Sequence, residues 1–321
     1  MMDQGRALER PDRVFDDLDE AAARRWGREP QRLRHGWHRS GLFGLDALAS
    51  LIDRYPVEHH AIVATSTRGD GQRVWREGEI RGLAGRQVIE AIAEGGLWLN
   101  LRNVQLVDPD YGRLLESAYA ELRAAVPGFE PSALRMGILI SSPRAQVHYH
   151  ADLPGQSLWQ IHGRKRVYVY PPADPYLPQE ALENIALSGV EVDMPYRAEF
   201  DRDAVALDLQ PGDMAHWPLN SPHRVDNEDC LNISVTTEHW TAAIRRSQMV
   251  NVANGVLRRH LGLKARGREL AGPGFWAKAL MQAAWRRTPW ARRLQRMCRP
   301  IDFRLSPHPG RRLVDIPAYY R

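Results

Sequence analysis

The sequence predicts a mainly β protein with flanking helices, its core a sandwich or barrel of the jelly-roll type. Two patterns predict this. Between residues 133 and 240, short runs rich in Val, Ile, Leu and Tyr recur at regular intervals, punctuated by Pro and Gly; this is how closed antiparallel sheets are written. On either side of that stretch the apolar residues fall instead at helical spacing. A third observation concerns size. With 321 residues, 43% of them hydrophobic, and 10 Trp and 10 Tyr, the chain can bury a substantial core, which excludes disorder over its length.

Taken in order, residues 1–40 are polar and Arg-rich and read as a surface extension with a short helix near 16–26. Residues 41–132 read as a helical or mixed part packing on the core. Leu48, Leu51, Ile52 and Tyr55 form a helical stripe, 60–66 a strand, and 87–93 a helix stopped by Gly95-Gly96. Asp108-Pro109 supplies an N-cap and a first helical residue, followed by the stripe Leu114, Ala118, Leu122 and a stop at Pro127-Gly128. In the core, strands are expected at 136–140, 146–152, 157–161, 165–170, 205–209, 213–217 and 231–237. A polar insertion over 174–200 contains a helix at 179–187 and reads either as a lid or as a plain surface loop. Residues 241–321 read as a basic helical region: one or two helices over 241–263 and another over 275–287 carrying Trp276 and Leu280. A restart is expected at Thr288-Pro289, with Trp290, Leu294 and Met297 on one face and Arg292, Arg293, Arg296 and Arg299 on the rest.

Cys230 and Cys298 are the only cysteines, too few for a disulfide scaffold. The first 13 residues lack the apolar stretch of a secretory signal, and no apolar run approaches the ~20 residues of a membrane helix. A reduced, cytoplasmic protein is expected. The net charge of +5 conceals a division: residues 241–321 hold 18 basic and 3 acidic residues, residues 1–240 hold 26 and 36. A basic tail on an acidic body suits an acidic macromolecule or an anionic membrane surface. A homodimer through the C-terminal helices is the other reading. Without a zinc-finger, helix-turn-helix or RNA-recognition motif, no sequence-specific DNA binding is expected.

The chemistry concentrates between Val147 and Pro172. His150-Ala151-Asp152 sets an imidazole and a carboxylate two residues apart, on one face of a strand. A distant His completes a three-ligand set, and the candidate is His223 in the turn-rich segment 211–227. Two His and one carboxylate leave three positions of an octahedral metal open, the arrangement used by non-haem Fe(II) oxygenases. In a chain of 321 residues with 12 His and 39 acidic residues about 1.5 such triplets are expected by chance, so the weight rests on what accompanies it. Thirteen residues beyond Asp152 stands Lys165, opening the strand K-R-V-Y-V-Y. A 2-oxo acid such as 2-oxoglutarate chelates iron at one end and needs a cation for its remote carboxylate.

The segment H-A-D…W-Q-I-H-G-R-K-R-V-Y-V-Y-P-P, followed by L-Q-P-G-D-M-A-H-W-P-L-N-S-P-H-R-V-D-N, resembles the Jumonji C family over residues 133–240. These are Fe(II)- and 2-oxoglutarate-dependent oxygenases with a cupin fold, a double-stranded β-helix. The likeness is to the hydroxylase branch, which includes the asparaginyl hydroxylase of hypoxia-inducible factor and bacterial ribosomal-protein hydroxylases. It implies His150, Asp152 and His223 as iron ligands, Lys165 as the anchor for 2-oxoglutarate, and O2 as the second cosubstrate. Val147 stands where the family often has Thr, and Thr236 where an Asn commonly faces the cosubstrate. Asn232, Ser234 and Thr236 alternate along one face of their strand, so Thr236 and Asn232 are candidate cosubstrate contacts. Asn220 suits the left-handed residue of a tight turn.

His148 shares the face of His150 and is a candidate pocket residue; Trp159 and Trp217 read as core or pocket wall. His162, His216 and His239 are expected to be structural or at the rim. The implied reaction is hydroxylation of a C–H bond, most naturally on a protein or peptide side chain, with succinate and CO2 as coproducts. The alternatives are a non-catalytic cupin-like metal-binding or regulatory protein, and a demethylase or small-metabolite hydroxylase using the same site.

Overall fold

The structure is a computed structural model and describes residues 13–67, 73–189, 194–265, 267–291, 300–307 and 312–320. Among these the strands are β1 (Gln31–Arg34), β2 (His60–Thr67), β3 (Arg73–Glu79), β4 (Leu97–Leu101), β5 (Ser132–Ser141), β6 (Gln146–His150), β7 (Gly155–His162), β8 (Lys165–Val169), β9 (Val205–Leu209), β10 (Asp213–His216), β11 (His223–Asn227), β12 (Asn232–Trp240), β13 (Ile301–Leu305) and β14 (Leu313–Tyr319). Strands β5 to β12 form a double-stranded β-helix. In it β10-β7-β12-β5 are neighbours in a large sheet and β6-β11-β8-β9 make a small one. The two sheets face each other, and the inward residues Leu158, Val167, Val169, Leu209, Ala215 and Val225 fill the space between them.

Period-two alternation assigns every side chain of these strands to one face or the other. On β7, Leu158 faces the barrel interior, whereas Trp159 and Ile161 face a larger core on the far side of the sheet. On β12, Ile233 and Val235 join that outer core, so Asn232, Ser234, Thr236 and Glu238 face inward. Helices α1 (Glu20–Arg25), α2 (Leu45–Asp53), α3 (Gly85–Glu94), α4 (Val104–Val107) and α5 (Pro109–Ala125) cover the outer face. In α5 the Asp108 carboxylate accepts from the Asp110 amide at 2.9 Å, and Pro109 opens the helix, as its sequence predicts. Its buried stripe is Tyr111, Leu115, Ala118, Tyr119 and Leu122; Leu114 is only half-buried.

The surface extension expected over residues 1–40 is, from residue 13 onward, part of the fold. Strand β1 pairs antiparallel with β10, and Phe15, Leu33 and Trp37 are buried in the outer core. The Trp37 ring stacks on Trp159, centroids 3.9 Å apart. These apolar residues are scattered among arginines without a period of 2 or 3.6, so no amphipathic pattern marks them. In residues 41–132 the large sheet continues through β4, β2 and β3.

The basic region is not wholly helical. It contains α7 (Ala242–Leu261) and α8 (Gly272–Arg286), and then the hairpin β13–β14, which joins the large sheet through a parallel pairing of β13 with β3. Ile301, Phe303 and Leu305 alternate as a strand should and are buried. The helix restarting at Thr288 is described as far as Ala291; Leu294 and Met297, with Arg292, Arg293, Arg296 and Arg299, lie outside the described residues. The insertion, with α6 (Gln179–Ser188), packs on the outer face of the small sheet through Leu177, Ile185 and Phe200 against Tyr149 and Tyr170. Arg224 of β11 clamps it, donating to Asp201 at 2.7 Å and lying 3.5 Å over the Tyr168 ring.

Candidate metal centre

His150 ends β6 and His223 begins β11, and the two are direct cross-strand partners. The next matched pair is Val147 with Val225, so two residues of β6, His148 and Tyr149, run opposite Arg224 alone. This bulge changes the parity of β6. Val147 packs in the barrel interior beside Val225, and His150, an odd number of positions later, also turns inward to meet His223. Their rings stand 4.1 Å apart. Asp152 follows in the loop after β6, and its Oδ2 lies 3.4 Å from His223 Nε2. Asn220, with φ 61°, holds that loop: its Nδ2 donates to the Asp152 carbonyl at 2.6 Å.

One ligand atom from each of His150, Asp152 and His223 lies within 4.8 Å of the others. Both imidazoles are oriented by their own strands. Nδ1 of His150 donates to the His148 carbonyl at 2.7 Å, and Nδ1 of His223 donates to the Ser221 carbonyl at 3.1 Å. Those bonds place the ring proton on Nδ1 and leave the Nε2 lone pair for a metal. Burial, with repulsion from His150, pushes the His223 pKa well below its ordinary value, which keeps this imidazole neutral and able to coordinate. Trp217 packs 4.4 Å from the His223 ring and walls that side.

Lys165 lies at the other end of the same barrel. The turn before it needs Gly163: φ there is +76°, and a Cβ would meet the Leu231 carbonyl oxygen at 2.3 Å. Lys165 is only 4% exposed and shares the face of Val167 and Val169, so its ammonium points between the sheets. No carboxylate pairs with it among the described residues. Burial lowers its pKa to about 7, with the Cys230 thiol pulling weakly the other way. Across β11, Lys165 is level with Asn227 and His223 with Val169. The cation and the triad are therefore four residues apart along the strands, about 13 Å at the backbone.

The remaining candidates separate. Asn232 faces inward beside this closed end, but its amide is committed: Oδ1 accepts from Gln160 Nε2 at 2.7 Å and Nδ2 donates to the Cys230 carbonyl at 3.0 Å. Ser234 completes the network by donating to Gln160 Oε1 at 2.8 Å. Sequence reasoning passed over Gln160, whose alternation with Leu158 on β7 marks it as inward. Thr236 is half-buried on the inner face, beside Gly137. His148 is not one of the clustered ligands; its carbonyl orients His150.

Of the two readings of Trp159, core and pocket wall, it takes the core one: it lies on the opposite face, where its Nε1 donates to Thr237 Oγ1 at 3.0 Å. Alternation from Leu158 puts it there. His216 and His239 are buried on that outer face as well, against Trp26 and Tyr119.

The fold and these side chains define a jelly-roll protein with a two-histidine, one-carboxylate metal site at one end of its barrel and a buried cation at the other. No protein-family model and no curated protein matches the chain. Among solved structures it is similar to YcfD, a ribosomal oxygenase from Escherichia coli. One structure of YcfD, in complex with cobalt and 2-oxoglutarate, has 17% identity and a TM-score of 0.47, with 91% of this chain and 74% of that one covered. A second has 18% identity and the same TM-score, with 85% and 68% covered. The DMSP lyase DddQ from Ruegeria pomeroyi DSS-3 is similar over 33% of this chain and 38% of its own, at 12% identity and a TM-score of 0.21.

Proposed function

We propose that this chain is an Fe(II)- and 2-oxoglutarate-dependent oxygenase that hydroxylates a C–H bond on a protein or peptide side chain. The observation that carries the reading is the pairing of the His150–Asp152–His223 cluster with an uncompensated ammonium at Lys165 inside one barrel. A buried ammonium without an anion is costly, and a dicarboxylate able to chelate a metal by its keto-acid end relieves that cost. The donor set fits iron: two imidazoles and one carboxylate leave adjacent positions open. Held there with 2-oxoglutarate, iron would activate O2, so that one oxygen atom would go to the substrate C–H and the other to succinate, with loss of CO2.

The chain's own residues bind and orient. Lys165 holds the remote carboxylate, with Gln160, Asn232 and Ser234 as its polar bed. The His148 and Ser221 carbonyls fix the two imidazoles, Asn220 fixes the loop of Asp152, and Trp217 keeps water from one side of His223. His150 is half-exposed, which sets the metal position toward the barrel mouth and favours a polypeptide side chain over an enclosed metabolite.

The test is turnover of 2-oxoglutarate to succinate by the Fe(II)-loaded protein. Slow, substrate-independent conversion that disappears in Asp152→Ala supports the oxygenase. Fe(II) binding with neither consumption nor binding of 2-oxoglutarate refutes it and leaves the second reading, a metal-binding cupin-like protein without catalysis.

A further inference from the structure

We propose that the shared C-terminal end of α7 and α8 is a docking surface for an anionic lipid bilayer. The ring of His260 on α7 lies 4.9 Å from that of Trp285 on α8, and near the other end Arg246 lies over Phe275. The two helices therefore run side by side in the same direction and end together. Their end and the outward face of α8 carry Leu261, Leu263, Trp276, Leu280 and Trp290, each between 55% and 71% exposed. From residue 270 to 291 the chain holds three basic residues, Lys278, Arg286 and Arg287, and no acidic one. Arg259, Lys264, Arg286 and Arg287 stand exposed beside these apolar side chains.

Basic residues in a last helical turn also complement the helix dipole, which accounts for Arg258 and Arg259. It gives no reason for exposed Leu and Trp. Leucine and tryptophan side by side with arginine are what an interfacial helix presents to lipid: the apolar groups enter the acyl boundary and the cations stay at the headgroups. A nucleic acid fits less well, because three of the five apolar side chains are leucines and cannot stack on bases. The acidic body of a second copy fits less well too, since Asp201 and Asp226 are already held by Arg224, Asp213 by Arg34, and Asp108 by Arg54. No described helix is long and apolar enough to cross a membrane, so the contact is one of surface docking.

The test uses the full chain with phosphatidylcholine vesicles, with and without phosphatidylglycerol, read by co-sedimentation and by tryptophan emission. Binding to the anionic vesicles alone, weakening with salt, is expected. Each lysine or arginine near such a surface is worth roughly a fivefold change in binding, so Arg286→Gln with Arg287→Gln lowers it about 25-fold. Leu280→Ser with Trp290→Ser abolishes the blue shift in emission. Unchanged circular dichroism keeps these variants interpretable. No binding to anionic vesicles overturns the proposal. So does binding that ignores both pairs of substitutions, or a dimer in solution that the Leu280→Ser, Trp290→Ser variant dissociates. Tighter binding to homopolymeric RNA than to the vesicles also overturns it.

Discussion

Replacing Lys165 with methionine separates what this residue does for binding from what it does to stability. The ammonium sits near 7 instead of its ordinary 10.5, burial being the main cause. Held that far down, its charged form is disfavoured by up to about 5 kcal/mol. Methionine fills most of the same volume without a charge. Exchanges of buried ionic groups for well-packed apolar ones stabilise by about 1–4 kcal/mol, and that is the expected gain for Lys165→Met without 2-oxoglutarate. The gain also follows pH with a definite sign. The burial penalty is complete below pH 7, where the lysine is protonated in both folded and unfolded chains. It fades as pH rises from 7 toward 10.5, because the folded protein then carries a neutral amine. Denaturant unfolding of the two proteins at pH 6 and pH 9 should show the larger difference at pH 6. Calorimetric binding of 2-oxoglutarate to the Mn(II)-loaded proteins should show affinity in the parent and none in the variant. A variant less stable than the parent at pH 6, or one that binds 2-oxoglutarate unchanged, refutes the reasoning.

Other outcomes follow from the same geometry. For the parent, 2-oxoglutarate binding should weaken up to tenfold per pH unit above 7 and take up a proton, because the anchor must be charged; calorimetry in buffers of different ionisation enthalpy reads both. Asn220→Gly keeps the left-handed turn but removes the bond to the Asp152 carbonyl, so Mn(II) affinity should fall several-fold while the unfolding free energy changes by about 1 kcal/mol or less. Asn220→Ala loses the same bond and also the polar side chain that lets asparagine adopt φ 61°, so it should cost more than the glycine variant, up to about 1–2 kcal/mol, measurable by denaturant unfolding. Removing residues 1–37 strips β1, Phe15 and Trp37 from the large sheet; losing one large aromatic from a core costs about 3–5 kcal/mol, so the truncated chain should be insoluble on expression.

The barrel was legible because its signals are local. Strand alternation, the capped helix at Asp108 and the turn at Asn220 each depend on a few neighbouring residues. The three ligands and Lys165 were legible because their spacing resembles a known pattern, and the fold brings the ligands within reach of one another. What escaped was non-local. Strand β1 has too few residues and too many arginines to show a period, and only its pairing with β10 makes it a strand. The β13 segment alternates at Ile301, Phe303 and Leu305, but it lies in a strongly basic stretch that follows two helical patterns, and only its pairing with β3 and β14 makes it a strand. For Trp159 the sequence leaves core and pocket wall both open, because its position beside the motif says nothing of which face it takes; Leu158, facing the barrel interior, decides for the core. Strand alternation places Asn232 inward but cannot show that Gln160, 72 residues away, occupies its amide oxygen.

The bulge opposite Arg224 uncouples two demands that a regular strand would tie together. Val147 must look into oil and His150 toward a metal, from positions whose separation would otherwise send them to opposite sides. Because one surplus residue absorbs the mismatch, the packing of the barrel can drift without re-aiming the imidazole. Deleting one of the two bulged residues would bring Val147 and His150 two positions apart, where a regular strand already turns both inward and the bulge is no longer needed.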